Sequence, residues 1–309
     1  MTQNRSLPFA VIVISLLIAG ALLFVAVQRL VAESDPSPRQ VGGASVALYE
    51  AAVAGNIKGI QAEVRRGADL NKIVQTSARG LKGMTPLMGA ATAGKNDSVR
   101  ALLEAEADPN ARGGQSRTAL FYAAGWGDAD IVRALLDAGA KVDARTKDGW
   151  TALMIAGARG EIESVRALIA DGANVDAKNK WGKTALMCAV INLNVDKVRS
   201  LLEIGASVNE KDNTGASALA IAASNDADIE MLGVIIAAGG DVKSADNDGV
   251  TTLMKACERG DLDRVFVLLN AGAESGAQDN NGWTALGWAE NRDDELGEEI
   301  AQVLRDSKD

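Results

Sequence analysis

The sequence predicts an all-α repeat solenoid, built from helix-turn-helix units each followed by a hairpin loop, with one N-terminal transmembrane helix. Three observations carry that reading. A short Thr-Ala-Leu-like segment recurs seven times at near-constant spacing, an uncharged apolar run of 20 residues lies close to the N-terminus, and the 309-residue chain is 47% apolar but only 4% aromatic. That composition is globular. A fixed period of about 20 to 50 residues signals a repeat array, so length alone does not convert into a count of ordinary domains.

Residues 1–7 form a short flank. From Pro8 to Val27 no side chain is charged, and Ser15 is the only polar one. At about 1.5 Å per residue such a helix reaches about 30 Å, the thickness of a bilayer core. Ser6 stands where a cap is wanted, Pro8 falls near the first turn, where a missing N–H costs nothing, and Gln28 and Arg29 mark the far interface. A cleaved signal peptide is the competing reading. Its apolar region usually runs to about 7 to 15 residues, and Leu30-Val31-Ala32 puts a bulky residue where a cleavage site wants a small one. Residues 8–27 therefore read as a signal anchor that holds the protein to a membrane. Arg5 on one side stands against Arg29 and Arg39 on the other, so charge hardly decides the orientation. With the whole domain on the C-terminal side, the usual topology places it in the periplasm or another exoplasmic space. Residues 28–45, which hold Pro, Ser and Gly, read as a flexible tether.

The recurring segments begin at Thr85, Thr118, Thr151, Thr184, Ser217, Thr251 and Thr284, spaced by 33 residues and once by 34. Thr or Ser at each start suits a helix N-cap. Alanine pairs such as Ala123-Ala124 let helices approach closely, and Gly55, Gly94, Gly127, Gly160 and Gly260 are expected to supply a left-handed stop after the first helix. An apolar pair and a small-residue turn follow, as in Leu135-Leu136-Asp137-Ala138-Gly139, and close a second helix. Asp148-Gly149, Asp248-Gly249 and Asn281-Gly282 mark hairpin tips. An earlier copy from Val46 to Asn71 lacks the opening Thr. The expected solenoid covers residues 46–306 in eight units starting near 46, 85, 118, 151, 184, 217, 251 and 284, with 307–309 as a tail. The first hairpin carries six extra residues, including Arg79, Leu81 and Lys82. The sixth unit, with Ser217, an added residue between Asn225 and Asp228 and no glycine stop, is a candidate flexible joint.

These landmarks resemble the ankyrin repeat. In that family the hairpin tips and the outer edges of the first helices form a concave, variable surface that binds a protein partner. Mapped onto that surface, Arg117, Tyr122, Trp126, Trp150, Arg159 and Trp181 form one patch across units three to five, with the aromatic and Arg composition of binding hot spots. The competing reading is that the indoles pack on neighbouring hairpins. One departure stands out: where the family has His after its Thr-Pro-Leu, this chain has Met88, Phe121, Met154, Met187, Ala220, Met254 and Gly287. Packing must then replace the polar network of that His, which puts the inter-repeat hydrogen bonds in doubt.

Chemistry is constrained by what is missing. The chain has no histidine, which removes Ser-His-Asp and Cys-His nucleophiles and histidine metal sites. Residues 246–309 carry 15 acids against 6 bases and so hold the whole net charge of -9, while residues 41–245 are near neutral with 24 acids and 23 bases. No basic stripe points to nucleic acid. Asp246-Asn247-Asp248-Gly249 reads as a turn, because Ser244 and Lys255 stand where a calcium loop needs acids. The recurring Met residues read as core, and Cys188 and Cys257, two units apart, as small buried residues. No cofactor, metal or small-molecule substrate is predicted. The function read from the sequence is a membrane-tethered, non-enzymatic protein-interaction scaffold. A cleaved, secreted effector or inhibitor is the alternative, and a metal-handling protein or enzyme is disfavoured because repeats account for nearly every residue after 45.

Overall fold

In the computed structural model the described residues are 44–75 and 82–307, and they contain sixteen α-helices that pair in chain order. The first four pairs are α1 (Ala44–Ala54) with α2 (Ile57–Arg65), α3 (Pro86–Thr92) with α4 (Asn96–Glu104), α5 (Ala119–Trp126) with α6 (Ala129–Asp137), and α7 (Ala152–Ala158) with α8 (Ile162–Ala170). The next four are α9 (Ala185–Ile191) with α10 (Val195–Glu203), α11 (Ala218–Ser224) with α12 (Ile229–Ala237), α13 (Thr252–Arg259) with α14 (Leu262–Asn270), and α15 (Ala285–Glu290) with α16 (Glu295–Asp306). First helices pack on first helices and second on second, always between adjacent pairs, so the solenoid has two helical layers. Among the described residues no helix is long and apolar enough to cross a membrane. The predicted span at residues 8–27 and the tether up to residue 43 lie outside the described residues. Ala44 and Ser45, assigned above to the tether, already belong to α1.

Local chemistry sets where the first helices start. Thr85, Thr118, Thr151, Thr184, Thr251 and Thr284 each accept a hydrogen bond on the side-chain oxygen from the backbone N–H three residues on, and Ser217 does the same for Ala220 at 3.3 Å. Each such cap is worth about 1 kcal/mol. The Leu two residues after the cap in α3, α5, α7, α9, α11 and α13 is at most 1% exposed. Met88, Met154, Met187 and Met254 are likewise buried and belong to the core. Met88 shows what covers this position: a Cβ on Gly113 of the following hairpin would lie 2.7 Å from its sulfur.

The hydrogen bonds between repeats come from the loops. At the hairpin tips the N–H of Lys147, Lys180, Asn213, Asn247 and Asn280 donates to the carbonyl of Gln115, Asp148, Trp181, Thr214 and Asp248 in the preceding hairpin, at 2.9 to 3.0 Å. At the opposite turns the side chains of Asn71, Asn110, Asp143, Asp176 and Asn209 accept from a backbone N–H of the next repeat. A third row is basic: Arg112, Arg145, Lys178 and Lys211 each reach a carbonyl of the following repeat at 2.7 to 2.9 Å. The polar network left in doubt by the missing His is thus supplied elsewhere, by one backbone ladder that any sequence could make and by two rows of recurring Asn/Asp and Arg/Lys side chains.

Several expectations need correction. The all-α class holds, and the enlarged first hairpin adds a short two-stranded antiparallel ribbon, β1 (Val74–Gln75) with β2 (Lys82–Met84). Arg79 and Leu81 fall outside the described residues. Gly55, Gly94 and Gly260 are left-handed, but Gly127 has φ -88° and Gly160 is not left-handed either. Their role is close approach: a Cβ on Gly160 would come 2.0 Å from the Ala124 carbonyl oxygen of the preceding repeat. In the fifth repeat the left-handed stop falls on Leu193, at φ 57° and 46% exposed. The sixth repeat is clamped. Arg264, 3% exposed, crosses from α14 and donates to the carbonyls of Ala223, Asn225 and Ala227, while Arg259 pairs with Asp226.

The hairpin bases use one clip. Asp212 accepts on Oδ1 from the N–H of Thr214 and Ala216 while Oδ2 takes Lys183 Nζ at 2.7 Å, and Asp246 repeats the pattern with Asp248, Val250 and Lys255. Asp246 is therefore a turn residue. Burial alone would raise the Asp212 pKa, but the hydrogen bonds from Lys183 and Thr214 outweigh it and hold it below the usual carboxylate range.

Three outcomes follow from these contacts. Replacing Leu193 by Gly removes a left-handed leucine and should stabilise the protein by about 1 kcal/mol in urea unfolding. Arg264→Ala leaves three carbonyls without their donor and should cost about 3 kcal/mol, with hydrogen exchange of residues 223–228 rising first. For Asp212→Asn the sign is set by a folded-state pKa below the unfolded value. Its carboxylate stabilises the fold above about pH 4, so the deficit of the variant is full at neutral pH and shrinks as acid titrates the native carboxylate. A deficit that grows toward low pH would contradict the clip.

Candidate binding surface

The six residues singled out by sequence fall into two aromatic groups. Arg117 closes the second hairpin, where its carbonyl accepts from Gly113 N at 2.9 Å, and so stands just before the cap of α5. Its guanidinium carbon lies 5.3 Å from the Phe121 ring centre and 5.9 Å from that of Tyr122. Tyr122 packs edge-on against Phe121 at 5.9 Å and tilted against Trp126 at 6.0 Å. Trp126, the last residue of α5, carries Arg159 from the end of α7 over its face at 5.4 Å. Two guanidinium groups thus rest on one connected cluster of three rings. Burial, and then the nearby Arg117 charge, lowers the Arg159 pKa, although a guanidinium remains charged at neutral pH.

The second group is Trp150 and Trp181, on consecutive hairpins, meeting edge to face at 6.5 Å. Trp150 N–H donates to Thr146 Oγ1 and Trp181 N–H to Asn179 Oδ1, so each indole grows from a hydrogen-bonded hairpin. Lys180 Nζ sits 4.5 Å from the Trp181 ring centre and pairs with Asp148 Oδ1 at 2.6 Å. The two indoles therefore do pack between neighbouring hairpins.

Arg117, Trp126, Trp150, Arg159 and Trp181 are half-buried, each keeping part of its side chain at the surface. Tyr122 is different. At 4% exposure it is buried in the layer of first helices, where its ring contacts Phe121 and Trp126. Phe121, also 4% exposed, joins the cluster although its place in the repeat reads as a plain core position. The recurrence of Met at that position in other repeats hid it.

The remaining titratable chemistry is quiet. Among the described residues no group of His, Cys, Asp or Glu could hold a metal ion. Cys188 and Cys257 are buried, unpaired with each other, and burial pushes both thiols up to about 12. At the C-terminal end Trp283 meets Trp288 edge to face at 6.4 Å, and Trp288 Nε1 donates to Asp279 Oδ2 at 3.1 Å.

The repeat geometry described here has a counterpart among known families. The ankyrin repeats family matches in three copies, over residues 48–146, 142–212 and 219–309. A search of curated proteins finds no match. With nearly all of the helical region matched, the chain belongs to the ankyrin repeat family.

Proposed function

We propose that this protein is a membrane-tethered scaffold that captures a protein partner on the hairpin edge of repeats three to five. Ankyrin repeats are typically non-enzymatic interaction modules, so a protein partner follows from the family. The observation that supports this particular surface is the pair of guanidiniums of Arg117 and Arg159 on the Phe121, Tyr122 and Trp126 rings. Half-buried aromatic and arginine side chains held rigid before binding lose little entropy on contact, which is the property of hot spots. Trp150 and Trp181 extend the surface over two more hairpins. Tethering rests on the uncharged run at residues 8–27, and the solenoid is placed on the exoplasmic side, periplasmic in a bacterium.

The test is crosslinking in intact membranes followed by purification through a C-terminal tag. Arg117→Ser with Arg159→Ser should reduce partner recovery at least tenfold, and Trp126→Ala with Trp150→Ala and Trp181→Ala should do so more strongly. Leu135→Ala, in the fully buried core of α6, provides the contrast: it should cost about 2 to 5 kcal/mol of stability. Surface variants that melt like Leu135→Ala, or that stay folded and retain the partner, would remove the patch. The full chain should need detergent for extraction. A mature N-terminus after residue 30, or release without detergent, would remove the tether.

A further inference from the structure

The last helix pair carries a second feature, separate from the patch on repeats three to five. An open cleft of about 460 Å³ lies on α15 and the hairpin before it, lined by Gly282, Trp283, Leu286, Gly287, Glu290 and Asn291 among others. Gly287 occupies the position that Met88, Met154, Met187 and Met254 fill in other repeats, where the next hairpin covers the side chain. The nearest atoms that a Cβ on Gly287 would meet belong to Trp283, at 3.5 to 4.0 Å, so the position forms a notch in the cleft beside that ring.

Trp283 forms one wall. Unlike Trp126, Trp150 and Trp181 it is exposed, at 42%. It is nonetheless held in place from both ends. Its backbone N–H donates to Asp279 Oδ1 at 2.9 Å, and its ring stands edge-on to Trp288, whose own Nε1 is tied to Asp279 Oδ2. One buried carboxylate, 5% exposed, thus anchors the Trp283 main chain and the Trp288 indole that braces its ring. An exposed tryptophan face held this way is the best aromatic platform for a cation. The charge around it has the matching sign. Residues 246–309 carry 15 acids against 6 bases, Glu290 lies in the cleft, and Asp248 is exposed on the neighbouring hairpin. Glu290 pairs with Arg305, but both side chains are 50% exposed, and an ion pair so open to water contributes little and yields readily to a competing cation.

We infer that this cleft binds a basic peptide segment, an Arg or Lys side chain lying on the Trp283 face beside Glu290 while an adjacent apolar side chain fills the notch at Gly287. The apolar contact gives the site its depth. The acidic surroundings bring the segment in, and Trp283 distinguishes the site from a merely acidic surface.

Binding can be measured on the full chain in non-ionic detergent at about 0.15 M salt, where bulk charge is screened beyond about 8 Å. The probes are two fluorescein-labelled octapeptides, one alternating Arg with Leu and the other Glu with Leu. The Arg peptide should bind and the Glu peptide should not. Trp283→Ala should weaken binding at least tenfold, and so should Gly287→Met, which leaves Trp283 intact and fills the notch with the side chain used in four other repeats. Trp126→Ala, which tests the other surface, should leave this affinity unchanged. The inference is overturned if the Arg peptide does not bind, if it binds Trp283→Ala and Gly287→Met as well as the native chain, or if the Glu peptide binds equally. It is also overturned if the native chain is a dimer that Trp283→Ala dissociates, since the cleft would then be occupied by a second copy.

Discussion

Each helix pair presents an apolar face that only the next pair can cover, and this stacking is the constraint on which the rest of the structure depends. The leucines two residues after the caps, from Leu87 to Leu253, are buried at these contacts together with the recurrent methionines. Burying one such side chain contributes about 1.5 to 3 kcal/mol, whereas a loop hydrogen bond contributes about 0.5 to 1.5 net. Apolar stacking therefore supplies most of the stability. The loop ladders set the register, because a hairpin shifted by one residue would lose its bond to Gln115, Asp148, Trp181, Thr214 or Asp248. Losing the family His is tolerable for that reason: the position can become Met without removing what aligns the repeats.

A stack of this kind confines chemistry to its edges and ends. The interior is alanine, leucine and methionine, and the two thiols within it, pushed up to about 12, are not nucleophiles at neutral pH. Polar side chains at the hairpin bases, such as Asp212, Asp246 and Asp279, are already engaged in holding turns. What remains accessible is the row of residues on hairpins and first-helix ends, where Arg117, Trp126, Trp150, Arg159 and Trp181 stand, and the cleft on α15. Rigidity is a property of the same arrangement, since each hairpin is bonded to its neighbour before any partner arrives.

The parts of the fold legible in the sequence are those with a local cause. A Thr cap and the Leu after it act within one turn, so Thr118 and Leu120 could be placed without knowing their neighbours. Gly127 could not, because a left-handed stop and a close approach both demand glycine and only the neighbouring Ala91 and Ala123 carbonyls decide between them. The left-handed Leu193 gave no signal at all. The clamp on the sixth repeat was hidden for a different reason: Arg264 lies 39 residues beyond the Asn225 carbonyl it holds. At the candidate site the residue types were legible and their depth was not. Tyr122 has the right spacing for the surface but is 4% exposed, buried in the first-helix layer against Phe121 and Trp126.

The claim that loop ladders turn separate helix pairs into one rigid display surface can be tested directly by amide hydrogen exchange. The N–H groups of Lys147, Lys180, Asn213, Asn247 and Asn280 lie in hairpins, outside any helix, yet each donates to the preceding repeat. The structure predicts that these five amides are protected to nearly the same degree as the helices flanking them, and that they lose protection together with those helices as urea is added. Exchange of the five amides at the rate of an open loop, while the helices remain protected, would contradict the account.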